Sequence, residues 1–201
     1  VADPTERERL SRRARLLARL SVGYNVLEAV TAIAAGLAAG SVALVGFGLD
    51  SAIEVSSAVI ILWQFRHAVP ESRERAALRA IALSFFALAG YVSYEAVRTL
   101  VSGADPEASP VGIGLAIASV IIMPWLSRAQ RATGKALGSK AVEADGNQTR
   151  LCAYLSAVLL VGLLLNATLD WGWADPAAAL VIAAVAVREG LEAWRGDHCD
   201  C

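Results

Sequence analysis

The chain has 201 residues, 56% of them hydrophobic, with a mean hydropathy of +0.52 and a formal net charge of −1. Such apolarity exceeds what a soluble domain of this length carries and fits a polytopic membrane protein. The near-zero charge leaves no basic footprint for nucleic acid, and three cysteines, Cys152, Cys199 and Cys201, are too few and too clustered for a disulfide scaffold.

Residues 1–16 mix bases with acids and read as an amphipathic segment on the inner leaflet. A secretory signal is the competing reading. It fits poorly, because the basic region is long and the apolar run after it contains Asn25 and Glu28. That run is the first of six apolar segments, at 17–38, 41–65, 76–101, 110–127, 140–167 and 174–194. Most approach the ~20 residues that a helix needs to cross ~30 Å of hydrocarbon. No stretch alternates cleanly enough for a membrane barrel. The expected fold is an all-α membrane protein with six transmembrane helices over 17–195, followed by a short tail over 196–201.

The bases set the orientation. Six lie up to Arg19, four in the stretch 66–79 that joins the second and third segments, four in the stretch 127–140 that joins the fourth and fifth, and two at the C-terminal end. The other three connectors hold none, so both termini are expected in the cytoplasm of a multi-pass cell-membrane protein. Trp171 and Trp173 suit an interface on the outer side.

The second segment contains "GFGLDSAIEVSSAVIILW", with Asp50 and Glu54 four residues apart on one helix face. Each carboxylate at the centre of a spanning helix costs about 2.5–3.5 kcal/mol on insertion scales. Two such anions repel or share a proton, and a divalent cation removes the conflict. Shared protons or polar neighbours are the bland alternative.

Further ligands are found by writing "SVALVGFGLDSAIE" above "SKAVEADGNQTRLC" from the fifth segment. Ser41 then matches Ser139 and Gly48 matches Gly146, while Asp50 falls on Gln148 and Glu54 on Cys152. The two segments run in opposite directions, so both pairs reach the midplane. Inverted relations of this kind surround the site of many alternating-access transporters. Cys152 is a soft ligand once deprotonated, although a lone buried cysteine is usually packing. Asp145 reads either as an entry ligand or as a hydrated residue at the helix mouth, and Asn147 lies beside it. Glu28 in the first segment could line a metal or proton path or be hydrogen-bonded structurally. Arg150 faces away from Gln148 and Cys152, and Glu95 with Arg98 reads as an i, i+3 ion pair. In the tail, His198, Cys199 and Cys201 could collect metal or have no role. The two histidines, His67 and His198, fall in a connector and in the tail, which leaves no nucleophile–base constellation and no case for an enzyme.

"GSVALVGFGLDSAIEVSSAVIIL", "SKAVEADGNQTRLCAYLSAVLLVGLLLN" and "ADPAAALVIAAVAVREGLEAW", in this order across six helices, resemble the cation diffusion facilitator (cation efflux) family. The resemblance implies a cation-efflux-type bundle that exports zinc or a related divalent cation in exchange for protons, usually as a homodimer. It implies metal ligands at i and i+4 on helices 2 and 5, here Asp50, Glu54, Gln148 and Cys152. The last two depart from the family's usual His or Asp. The family usually adds a cytoplasmic metal-binding domain for which 201 residues leave no room, so the chain is similar to a short branch of the transmembrane protein 163 type. The expected substrate is Zn2+, with Fe2+ or Mn2+ as alternatives. The expected partners are that cation, protons, the lipid bilayer and a second copy held by small residues such as Gly36 and Gly90. A membrane metal-binding or regulatory protein without turnover is the competing class.

Overall fold

A computed structural model describes residues 4–64 and 71–195. It contains six helices: α1 (Pro4–Ala39), α2 (Val42–Gln64), α3 (Glu71–Ser102), α4 (Pro110–Leu137), α5 (Lys140–Leu169) and α6 (Ala174–Arg195). No strand occurs among the described residues. Four helical stretches, Glu8–Ala39, Arg79–Ser102, Pro110–Leu137 and Asp145–Leu169, are long and apolar enough to cross a membrane. Leu27, Val30, Val101, Ile121 and Trp125 are exposed along them. Their outward placement suits lipid, while polar side chains turn inward.

The helices outrun the apolar segments. The stretch from Arg128 to Leu137, read from sequence as a connector, continues α4, and α1 begins at Pro4. Both stretches are rich in Arg, Ala and other good helix formers. Nothing stops α4 until Gly138, whose φ of 63° is the left-handed conformation that glycine adopts without strain.

The bundle is built from two hairpins of one design. Gly40 (φ 66°) ends α1 as Gly138 ends α4. Ser41 N donates to Gly36 O at 2.9 Å, and Ser139 N donates to Gly134 O at 2.9 Å. A Cβ on Gly36 would lie 2.7 Å from Val45 N, and one on Gly134 would lie 2.8 Å from Glu143 N. A Cβ on Gly48 would lie 2.9 Å from Ile33 N, and one on Gly146 would lie 3.0 Å from Arg131 N. Every one of these pairs is related by a shift of 98 residues, the same shift that relates Asp50 to Gln148 and Glu54 to Cys152. The weak sequence match is therefore a structural repeat. With three helices per repeat, the second copy is inverted relative to the first.

Helix α1 packs on α2, α4 on α5 and α3 on α6, with α1 against α4 and α2 against α6. Gly36 is thus used inside the protomer, against α2, and is not free for a contact between copies. Asp175 at the start of α6 joins the third pair to the hairpins. It accepts from Ser41 Oγ at 2.5 Å and from the backbone N–H groups of Val42 at 2.9 Å and Ala43 at 3.3 Å. A buried carboxylate thereby satisfies the open N-terminus of a neighbouring helix.

Candidate functional site

In each hairpin the second close-approach glycine (Gly48 or Gly146) is followed by a polar residue two positions later and another one turn beyond. The repeat geometry therefore carries Asp50 and Glu54 on α2, and Gln148 and Cys152 on α5, toward a common centre. Asp50 and Glu54 are buried, at 4% and 8% exposure, and Cys152 is fully buried.

Their partners differ from a simple four-residue ring. Glu54 accepts from Gln148 Nε2 at 3.0 Å through Oε1 and from Asn25 Nδ2 at 3.0 Å through Oε2. Cys152 Sγ donates to Glu28 Oε2 at 3.7 Å rather than meeting Asp50. Glu28 is the hub on α1. It also accepts from Ser51 Oγ at 2.8 Å and from Ser119 Oγ of α4, whose hydroxyl in turn lies 2.8 Å from Tyr24 Oη. Asp50 makes no hydrogen bond among the described residues. Glu28 and Glu189 stand within its electrostatic reach.

Asp145 is drawn away. Gln130 Nε2 of α4 donates to it at 2.5 Å. Asn147 is half-buried and Arg150 is exposed, as its position relative to Gln148 and Cys152 requires. Glu95 and Arg98 form the expected ion pair at 3.4 Å. His67, His198, Cys199 and Cys201 lie outside the described residues.

Ser51, Ser119 and Asn25 were not ranked as site residues from the sequence. Their signal was available. Ser119 interrupts the apolar run "GIGLAIASVIIM", and Asn25 lies three residues from Glu28 on one helix face.

Charge decides what the cluster can do. Glu28, Asp50 and Glu54 are buried together, and the ion pairs among the described residues, at Arg12–Glu8, Arg98–Glu95 and Arg188–Glu192, are all elsewhere. The groups that hydrogen-bond these acids are neutral amides, hydroxyls and a thiol. Neutral donors orient carboxylates but leave their charge uncompensated, at a cost of several kcal/mol per buried ion. Protons or a cation must supply the balance. In this conformation no three His, Cys, Asp or Glu side chains among the described residues converge closely enough to hold a metal ion.

Residues 18–195 match the family model described as the cation efflux transmembrane domain. The chain is similar to an uncharacterized transporter of Synechocystis sp., with 27% identity over 94% of this chain and 62% of the relative. It is similar to an uncharacterized transporter of Methanocaldococcus jannaschii, with 26% identity over 86% of this chain and 64% of the relative. It is also similar to transmembrane protein 163 of Xenopus laevis, with 25% identity over 71% of this chain and 52% of the relative. The chain thus spans between about half and two thirds of the length of these relatives.

Proposed function

The chain belongs to the cation efflux family, a family of membrane transporters rather than an enzyme class, and from that premise we propose that it exports a divalent cation, zinc first, by exchange with protons around the α1–α2–α5 cluster. The observation that carries this reading is the burial of Glu28, Asp50 and Glu54 together, with no ion pair to any of them among the described residues. A dication entering such a cluster displaces protons, which is the chemical basis of antiport. Asp50 and Glu54 are the charged ligands, Gln148 offers its amide oxygen and Cys152 a thiolate. The inverted hairpins supply two equivalent halves that can rock about the site, with access alternating between the two faces. The working unit is a homodimer in the lipid bilayer.

Reconstitution in proteoliposomes tests the reading. Zinc uptake should occur and should be accelerated by an opposing proton gradient. Zinc binding without flux would instead favour a metal-binding protein without turnover, and flux indifferent to the gradient would remove the exchange. Faster flux of iron or manganese than of zinc would reassign the substrate.

Cys152 decides the metal preference. Carboxylates alone suit iron or manganese, whereas a thiolate favours zinc. Cys152→Ser should weaken zinc by about tenfold or more, with a smaller effect on manganese, and bound zinc should shield the wild-type thiol from alkylation. Unchanged zinc affinity in Cys152→Ser would make Cys152 a packing residue. Glu28, already hydrogen-bonded to it, would then be the next ligand to test, ahead of Asp145, which is held by Gln130.

A further inference from the structure

Helix α6 presents one acid to α2 that the site described above does not use. Asp175, Ile182 and Glu189 recur every seven residues and so form one stripe along α6. The first two positions of the stripe are fixed against α2. Asp175 accepts from Val42 N at 2.9 Å, and a Cβ on Gly46 would lie 3.8 Å from Ile182 Cγ2. Glu189 continues the stripe. It is buried, at 4% exposure, and its Oε1 has no hydrogen-bond partner among the described residues. The neighbouring cation is turned elsewhere, since Arg188 Nε donates to Glu192 Oε1 at 2.9 Å. Glu189 acts electrostatically on both Asp50 and Glu54.

The depth of Glu189 follows from the same register. Both helices run inward from the Asp175–Val42 contact. At 1.5 Å per residue, Asp50 lies ~12 Å along α2, Glu54 ~18 Å, and Glu189 ~21 Å along α6. Glu189 is therefore on the cytoplasmic side of both carboxylates of α2. A buried carboxylate oxygen without a donor is costly unless something charged or polar visits it. Its charged neighbours are the acids Glu192, Asp50 and Glu54 together with Arg188, which is already paired with Glu192, so the visitor it suits is a cation.

We propose that Glu189 is a cation-contacting residue on the inner approach, which receives the divalent cation from the cytoplasmic face and passes it to Glu54 and then Asp50. This assignment rests on the cation-transport reading above. It adds a contact from α6 to a site otherwise built from the inverted hairpins.

Zinc exchange across vesicles of one orientation tests the assignment, with the full chain as wild type, Glu189→Gln and Glu189→Asp. Glu189→Gln keeps the shape and removes the charge. It should raise the half-saturating zinc concentration at the cytoplasmic face about tenfold and at the outer face by less than about twofold. Glu189→Asp should restore most of the affinity. If Glu189→Gln cannot be recovered folded, Glu189→Ala removes the orphan oxygen altogether and should give the same one-sided loss. Equal losses at both faces, or an unchanged half-saturation in the charge-free variants, would overturn the role of Glu189 while leaving wild-type transport intact. A wild-type chain that neither binds nor carries zinc would overturn the transport reading and this assignment with it.

Discussion

Replacement of Asp50 or Glu54 by alanine should remove most zinc binding, with affinity falling by about a hundredfold or more, while the protein still inserts and folds. Both parts of the expectation come from one energy balance. A carboxylate at the centre of a spanning helix opposes insertion by about 2.5–3.5 kcal/mol, so its removal does not harm insertion. The same carboxylate supplies the charge that a dication requires in a medium where little else screens it. Glu54 has the more elaborate support, with Asn25 and Gln148 each donating at 3.0 Å. These amides hold its two oxygens apart and aimed, and they lose their acceptor in Glu54→Ala. Asp50 makes no such bonds, so Asp50→Ala leaves no stranded donor. The Asp50 variant should therefore report the metal contribution with the least structural side effect. Titration calorimetry with zinc on the purified variants gives the measurement. Wild-type affinity in both would sink the assignment of the site to α2.

Gly36→Ala and Gly134→Ala should each destabilise the bundle by about 1–3 kcal/mol, and by similar amounts. The added methyl at position 36 would lie 2.7 Å from the backbone nitrogen of Val45, and at position 134 it would lie 2.8 Å from that of Glu143. Backbone cannot move aside as a flexible side-chain tip can, so each hairpin must open. Gly23→Ala and Gly114→Ala are the controls. Nothing lies within 4 Å of a Cβ at either position, and inside a helix alanine is favoured over glycine by about 1 kcal/mol. Unfolding in detergent should show loss for the first pair and no loss for the second. If Gly36→Ala and Gly134→Ala differ widely, the two hairpins are not mechanically equivalent, and the alternating-access reading weakens with them.

The sequence alone determined the class of the protein and most of its plan. Apolar runs of membrane length, punctuated by glycine and proline, fixed six helices, and the basic residues, gathered mostly at alternate connectors, gave the expected orientation. These signals are local, because helix formation and insertion depend on each segment's own composition. The 3.6-residue period likewise put Asp50 with Glu54, and Gln148 with Cys152, on single faces before any packing was considered. The shift of 98 residues was visible as a faint match between two segments. Its meaning came from the packing, since only the close approaches at Gly36, Gly48, Gly134 and Gly146 make it one hairpin built twice. Which face meets which was decided by tertiary structure. The hub position of Glu28, the pairing of Cys152 with it, the diversion of Asp145 to Gln130 and the burial of Glu189 all depend on how helices distant in sequence rotate against one another. That rotation is set by where small residues let backbones touch and by the Asp175 cap that locks α6 to α2. A helix carries its own period in its sequence, but the identity of the neighbour its polar face finds is a property of the whole bundle.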